Sequence, residues 1–209
     1  MSPLTLLFLA AGTAVAGMAI GVGQERLIRL RRTELPQTVD QALARLPWVA
    51  GATVASLAIK VSLSAQPTLA LAWLPLALVG PWIAGADRAG LLSPTQVLPM
   101  TMALTASGVL TGAAFAGRIE LLASAGLWLA VAIGLATCAR RLGLRISPAQ
   151  VQVIGLVGLA CGSLGLPAVA IAGVTGAGAL AIAWASGRLS LTPGAVALGG
   201  AWMAMAVTL

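Results

Sequence analysis

Residues 146–187 read ISPAQVQVIGLVGLACGSLGLPAVAIAGVTGAGALAIAWASG, a run of 42 residues without one charged side chain. An α-helix needs roughly 20 apolar residues to cross a bilayer, so the run is too long for one crossing and long enough for two. Gly165-Leu166-Pro167 near its middle is a turn signal. The run therefore predicts spans near 149–164 and 168–186.

The same pattern extends through the chain. Twelve basic and five acidic residues among 209 leave further charge-free runs at 1–24, 61–86, 89–117, 121–139 and 189–209, and the hydrophobic fraction is 59%. A soluble domain of this length requires far more surface charge. The composition predicts an all-α, polytopic transmembrane helical bundle in one integral membrane domain, 1–209, with the lipid bilayer as its first partner. Eight spans are expected, near 4–22, 47–63, 69–86, 97–116, 121–139, 149–164, 168–186 and 194–208. No basic segment precedes the first, so it is expected to be an anchor rather than a cleaved leader. Residues 24–46 form the longest polar stretch, a loop whose second half carries Leu35, Val39, Ala42, Leu43 and Leu46 at the spacing of an amphipathic helix lying along the headgroups. Lys60 is expected to snorkel to the interface.

Charge placement orients these spans. Arg26, Arg29, Arg31, Arg32 and Arg45, then Arg88, then Arg140, Arg141 and Arg145, then Arg188 occupy alternate connections, ten of the twelve basic residues. Lys60 and Arg118 fall on the other side. By the positive-inside bias the first group is cytoplasmic and both termini lie outside. That arrangement also accounts for the net charge of +7 without nucleic acid, since no aromatic residues are interleaved with the basic ones.

Several chemistries are excluded by composition. The chain has no histidine, which removes Ser-His-Asp catalysis and His-ligated metals. Cys138 and Cys161 stand alone in apolar runs and read as packing residues. No cofactor or metal site is indicated. Gly155, Gly158, Gly162 and Gly165, followed by Gly173, Gly176 and Gly178, read as helix-packing residues rather than a phosphate cradle, because they lie within apolar spans. No span interior carries the ionisable residue expected along a transport pathway.

Two blocks carry a resemblance. In the first, the apolar segment from Trp73 ends in Ala86-Asp87-Arg88-Ala89-Gly90-Leu91-Leu92-Ser93-Pro94, followed by Val97-Leu98-Pro99. In the second, the basic connection Arg140-Arg141-Leu142-Gly143-Leu144-Arg145 leads to Ser147-Pro148-Ala149-Gln150 and then to Leu156-Val157-Gly158-Leu159-Ala160-Cys161-Gly162-Ser163-Leu164-Gly165. Over 70–209 these resemble type IV prepilin peptidases, bacterial plasma-membrane endopeptidases of the aspartic type. There the first block ends in a catalytic Asp followed seven residues later by Pro, and the second carries Gly-x-Gly-Asp before a glycine-patterned helix. The resemblance implies an intramembrane aspartyl protease-like fold, with Asp87 as the retained first acid and Gln150 at the place of the second. The usual polar residues between Asp and Pro are missing, and Pro99 comes about one residue early. The chain also lacks the cysteine-paired cytoplasmic domain of longer members, which makes it resemble a short form.

The resemblance to an enzyme stops at the second acid. Hydrolysis by an aspartyl pair needs two carboxyls sharing a proton, and no acidic residue follows Glu120. The expectation is a prepilin peptidase-like protein with impaired or absent catalysis, a pseudoenzyme whose partners are a pilin-like leader peptide or another membrane protein. The alternative is a non-enzymatic scaffold or subunit of a membrane complex. Asp40 or Glu25, from the neighbouring polar segment, are the acids positioned in sequence to replace the missing one. Asp87 also has a plain reading, a helix-end carboxylate paired with Arg88 or Arg145.

Overall fold

The computed structural model describes residues 2–32, 34–64, 67–95, 97–185 and 192–208. Arg188 and the connection expected around it lie outside these residues. Ten helices are described, and no strand occurs among the described residues: α1 (Pro3–Arg31), α2 (Gln37–Leu43), α3 (Leu46–Leu63), α4 (Pro67–Leu71), α5 (Leu74–Arg88), α6 (Val97–Phe115), α7 (Glu120–Arg141), α8 (Pro148–Gly162), α9 (Leu166–Ala185) and α10 (Pro193–Thr208). Five stretches are long and apolar enough to cross a membrane: Pro3–Arg31, Gln37–Leu63, Pro67–Arg88, Val97–Phe115 and Glu120–Arg141. The protein is thus an all-helical membrane protein. α8 and α10, at fifteen and sixteen residues, are apolar but shorter than the roughly 20 residues of a full crossing.

Three expectations need correction. First, the polar stretch 24–46 is not a loop from its start, because α1 runs on to Arg31. Glu25, Arg26, Leu27 and Arg29 are good helix formers, and Arg29 Nε donates to Glu25 Oε1 at 2.8 Å one turn away. Second, the short amphipathic α2 turns its apolar side to the protein instead of the headgroups. Leu43 is buried with Ile28, Leu46, Ala86 and Ala89, and Leu35 and Val39 pack on that cluster.

Third, the span expected over 69–86 is broken between α4 and α5 at Ala72-Trp73. Pro75 has no N–H to give Leu71, which removes one helical bond at the break. Trp73 is buried there, with its ring centroid 6.0 Å from that of Trp202 in an edge-on arrangement. A second proline, Pro81, lies inside α5 and deprives the carbonyl of Ala77 of its helical donor. The Thr53 hydroxyl of α3 fills that vacancy, donating to Ala77 O at 3.2 Å.

Small residues set the helix pairs. Gly17 and Gly21 of α1, spaced as Gly-x-x-x-Gly, lie against the backbone of Ala50, Gly51 and Pro47 in α3. This is the close approach by which helices associate where no hydrophobic force separates lipid from side chain. Gly155, Gly158 and Gly162 place α8 against α7 in the same way. The expected turn at Gly165 is present, with φ +90. Gly173 and Gly178, in contrast, have nothing within 4 Å of a would-be Cβ, and Gly176 has only Val196 at 4.0 Å. The packing role expected for these three is not what they perform.

These pairings fix which helix ends share a face. α1 runs antiparallel to α3, and Lys60 near the end of α3 donates from Nζ to Ala206 O at 2.6 Å, so the N-terminus and the end of α10 lie at one end of the bundle. Lys60 thereby caps α10 as a cation at a helix C-terminus. At the opposite end are the ends of α1, α5 and α7 and the starts of α3, α8 and α10, with Arg32 donating to Ala89 O across α1 and α5.

Candidate functional site

α8 begins with Ser147-Pro148-Ala149-Gln150, a local sequence that starts a helix for clear reasons. Proline at the first helical position needs no N–H partner, and Ser147 Oγ accepts from Gln150 N at 3.2 Å. Gln150 Oε1 in turn accepts from Ser147 N at 2.9 Å, completing a capping box. This reciprocal pair holds the Gln150 side chain with its amide nitrogen still free to donate elsewhere.

The recipient is Asp87. Gln150 Nε2 donates to Asp87 Oδ1 at 2.9 Å, joining residues 63 apart in the chain. Both side chains are buried, at 8% and 9% exposure. Asp87 occupies the last turn of α5, which stops at once afterwards. Leu91 N donates back to Ala86 O at 2.9 Å and Gly90 N to Asp87 O at 3.1 Å, with Gly90 at φ +68. That left-handed residue closes a Schellman turn, which a side chain would strain.

The other carboxylate oxygen, Asp87 Oδ2, is enclosed and has no hydrogen-bond partner. It lies against Gly194 in the first turn of α10, so close that a methyl group there would fall 2.6 Å from it. Thr192 Oγ1, just before that helix, is also enclosed without a partner. The start of a helix favours negative charge, since its free N–H groups point outward. α5, α8 and α10 therefore converge on one carboxyl: Gln150 binds one oxygen, and the opening turn of α10 abuts the other.

The plain reading of Asp87 as the partner of Arg88 or Arg145 does not hold. Ion pairs among the described residues are Arg29 with Glu25, Arg29 with Asp40, and Arg118 with Glu120. The two acids considered as replacements, Glu25 and Asp40, are thus both held by Arg29 on the α1–α2 side, and neither is a partner of Asp87. Cys161 is buried in α8 as a packing residue, whereas Cys138 is exposed on α7. Among the described residues no three acidic or cysteine side chains converge as a metal site would require.

Gly194 is the site residue that the sequence reading missed. Thr192-Pro193-Gly194 was readable as a helix start, but its position beside Asp87 depends on packing between α5 and α10. Compared with protein-family models, with characterised proteins and with solved structures, the chain has no match.

Proposed function

We propose that this chain is a prepilin peptidase-like membrane protein of eight spans in which an acid–amide pair stands in for an acid–acid pair. On this reading it sits in a bacterial plasma membrane with both termini outside. It recognises a leader-like peptide or a neighbouring membrane protein at the Asp87 end without cutting it. The observation that carries the reading is the buried 2.9 Å hydrogen bond between Asp87 and Gln150, the two positions at which the resemblance lays its catalytic acids.

The chemistry follows from the pair. A carboxylate accepts hydrogen bonds, and a carboxamide both donates and accepts them, but the amide does not exchange a proton near neutral pH. Water activation and protonation of the scissile carbonyl oxygen require two titrating groups, and here one is missing. Peptide hydrolysis by this pair is therefore not expected.

The purified protein should leave a prepilin-like leader uncut, and Asp87→Asn should change nothing in that assay. Gln150→Asp with Ala149→Gly, or Gln150→Glu to keep the side-chain length, rebuilds two acids and should yield weak cleavage. Cleavage by the unaltered protein that Asp87→Asn abolishes would overturn the proposal, because another acid would then complete the site. A second reading, a scaffold within a membrane complex, draws on a different observation: both ends of the Gln150 amide are already engaged, by Ser147 and Asp87. Recovery of a stoichiometric membrane partner from native membrane, unaffected by added leader peptide, would favour it.

A further inference from the structure

Beside Asp87 the chain carries Arg88, whose surroundings present the opposite problem. Its Nε is enclosed with no hydrogen-bond partner, and among the described residues no carboxylate is within ion-pair distance of it. Arg88 as a whole is half-buried, and an enclosed guanidinium N–H without a partner favours an anion beside it. Two cavities adjoin it. One, of about 220 Å³, lies between α3, α5 and α10 and is lined by Leu46, Pro81 and Trp202 as well as Arg88. The other, of about 300 Å³, lies between α9 and α10 and includes Thr175 and Met203. Arg88, Ala195 and Gly199 belong to both.

Apart from the guanidinium and the hydroxyls of Thr53 and Thr175, the described side chains lining these cavities are alkyl, aromatic or thioether groups, with glycines between them. Pockets that enclose a drug-sized ligand measure about 300–1,000 Å³; these two lie below that range and at its lower bound, a size that accommodates a stretch of one apolar chain in each. Two apolar recesses diverging from one unpaired guanidinium match an amphiphile with one anionic head and two tails. We propose that this cleft is a binding site for an anionic diacyl phospholipid. The phosphate pairs with Arg88, for which the planar guanidinium fork is well shaped, and one acyl chain enters each recess on either side of Ala195 and Gly199. The membrane supplies such lipids at the level where α5 ends, and basic pockets between spanning helices hold acidic headgroups by the same charge pairing. The site needs no peptide at Asp87.

The test is native mass spectrometry of the full chain in detergent, with phosphatidylglycerol and phosphatidylcholine of matched chains, lysophosphatidylglycerol, and inorganic phosphate. Diacyl phosphatidylglycerol should be retained over phosphatidylcholine, and inorganic phosphate should not displace it. Arg88→Gln removes a charge-assisted contact and should weaken phosphatidylglycerol binding about tenfold. Gly199→Leu should weaken it comparably while leaving the fold intact, because a Cβ at Gly199 meets nothing within 4 Å and the side chain enters the recesses; if Arg88→Gln does not fold, this variant carries the test. Equal retention of phosphatidylcholine, displacement by phosphate, or unchanged binding in Gly199→Leu would overturn the site. Lysophosphatidylglycerol held as tightly as the diacyl lipid would overturn the two-chain assignment.

Discussion

α8 and α9 follow each other across a single turn and are both rich in glycine, yet they use it in opposite ways. In α8, Gly155, Gly158 and Gly162 recur at three and four residues, one helix face, and that face meets Ile133, Trp128 and Ala125 of α7. In α9, Gly173, Gly176 and Gly178 are spaced by three and two, so they fan around the helix, and two of them border open space. The close approach between α9 and α10 is made from the other side, where a methyl at Gly200 would lie 2.7 Å from Ala172 O. Glycine content alone therefore does not mark a packing face; glycine in register with a partner backbone does. The difference bears on the site, because the tightly seated helix is the one that carries Gln150.

The strongest way to break this contrast is Gly158→Ala. Its methyl would fall 2.5 Å from Trp128 O and 2.7 Å from Ala132 Cβ, contacts that backbone does not readily relax. Unfolding in detergent by denaturant titration should show a loss of about 3 kcal/mol, the upper end for overpacking; a midpoint equal to wild type would mean that α7 and α8 are not so seated. Gly200→Ala comes next, at about 2 kcal/mol by the same mechanism. It is expected to loosen α9 from α10 while leaving the α7–α8 pair unaffected, which cysteine crosslinking of each pair can distinguish.

Gln150→Leu should cost about 1.5 kcal/mol, because it strands the Ser147 N–H and removes the hydrogen-bond partner that the Asp87 carboxyl has among the described residues. A double-mutant cycle with Asp87→Leu should return a coupling of about 1 kcal/mol, and additive losses would disprove the bond. The smallest effect is Gly178→Ala, with open space around the new methyl. It should stabilise the protein by about 0.5 kcal/mol through helix propensity and a less flexible unfolded chain, opposite in sign to Gly158→Ala.

The sequence revealed most where the physics is local or where charge is scarce. Apart from α1, which runs on to Arg31, and the stretch broken between α4 and α5, helical segments fall within a few residues of the expected spans because uncharged runs leave the chain little choice, and the Gly165 turn is a local conformational signal. The meeting of Asp87 with Gln150 was also legible, because the blocks around them set each at the end of a helix on the same face. Other features were obscured by stronger cues. Charged residues after Gly23 read as a loop, although Glu and Arg extend helices readily. The apolar run through Trp73 masked the break that Pro75 imposes. The apposition of Gly194 and Asp87, and the unpaired state of Arg88, depend on how α10 lies across α5, and no local pattern encodes that.

The bond between Asp87 and Gln150 also sets an order of events during synthesis. At about 5–20 residues per second, the 63 residues between them take roughly 3–13 s to emerge. For that interval α5 has been made and its carboxyl has no amide to meet, so Asp87 is expected to stay open to water. The Gln150 amide comes with α8, and Gly194 reaches the remaining oxygen only with α10, later still. Ribosomes stalled before residue 150 would hold the protein at a stage with Asp87 open to aqueous reagents, and ribosomes stalled after α10 has left the exit tunnel would hold it with that carboxyl shielded.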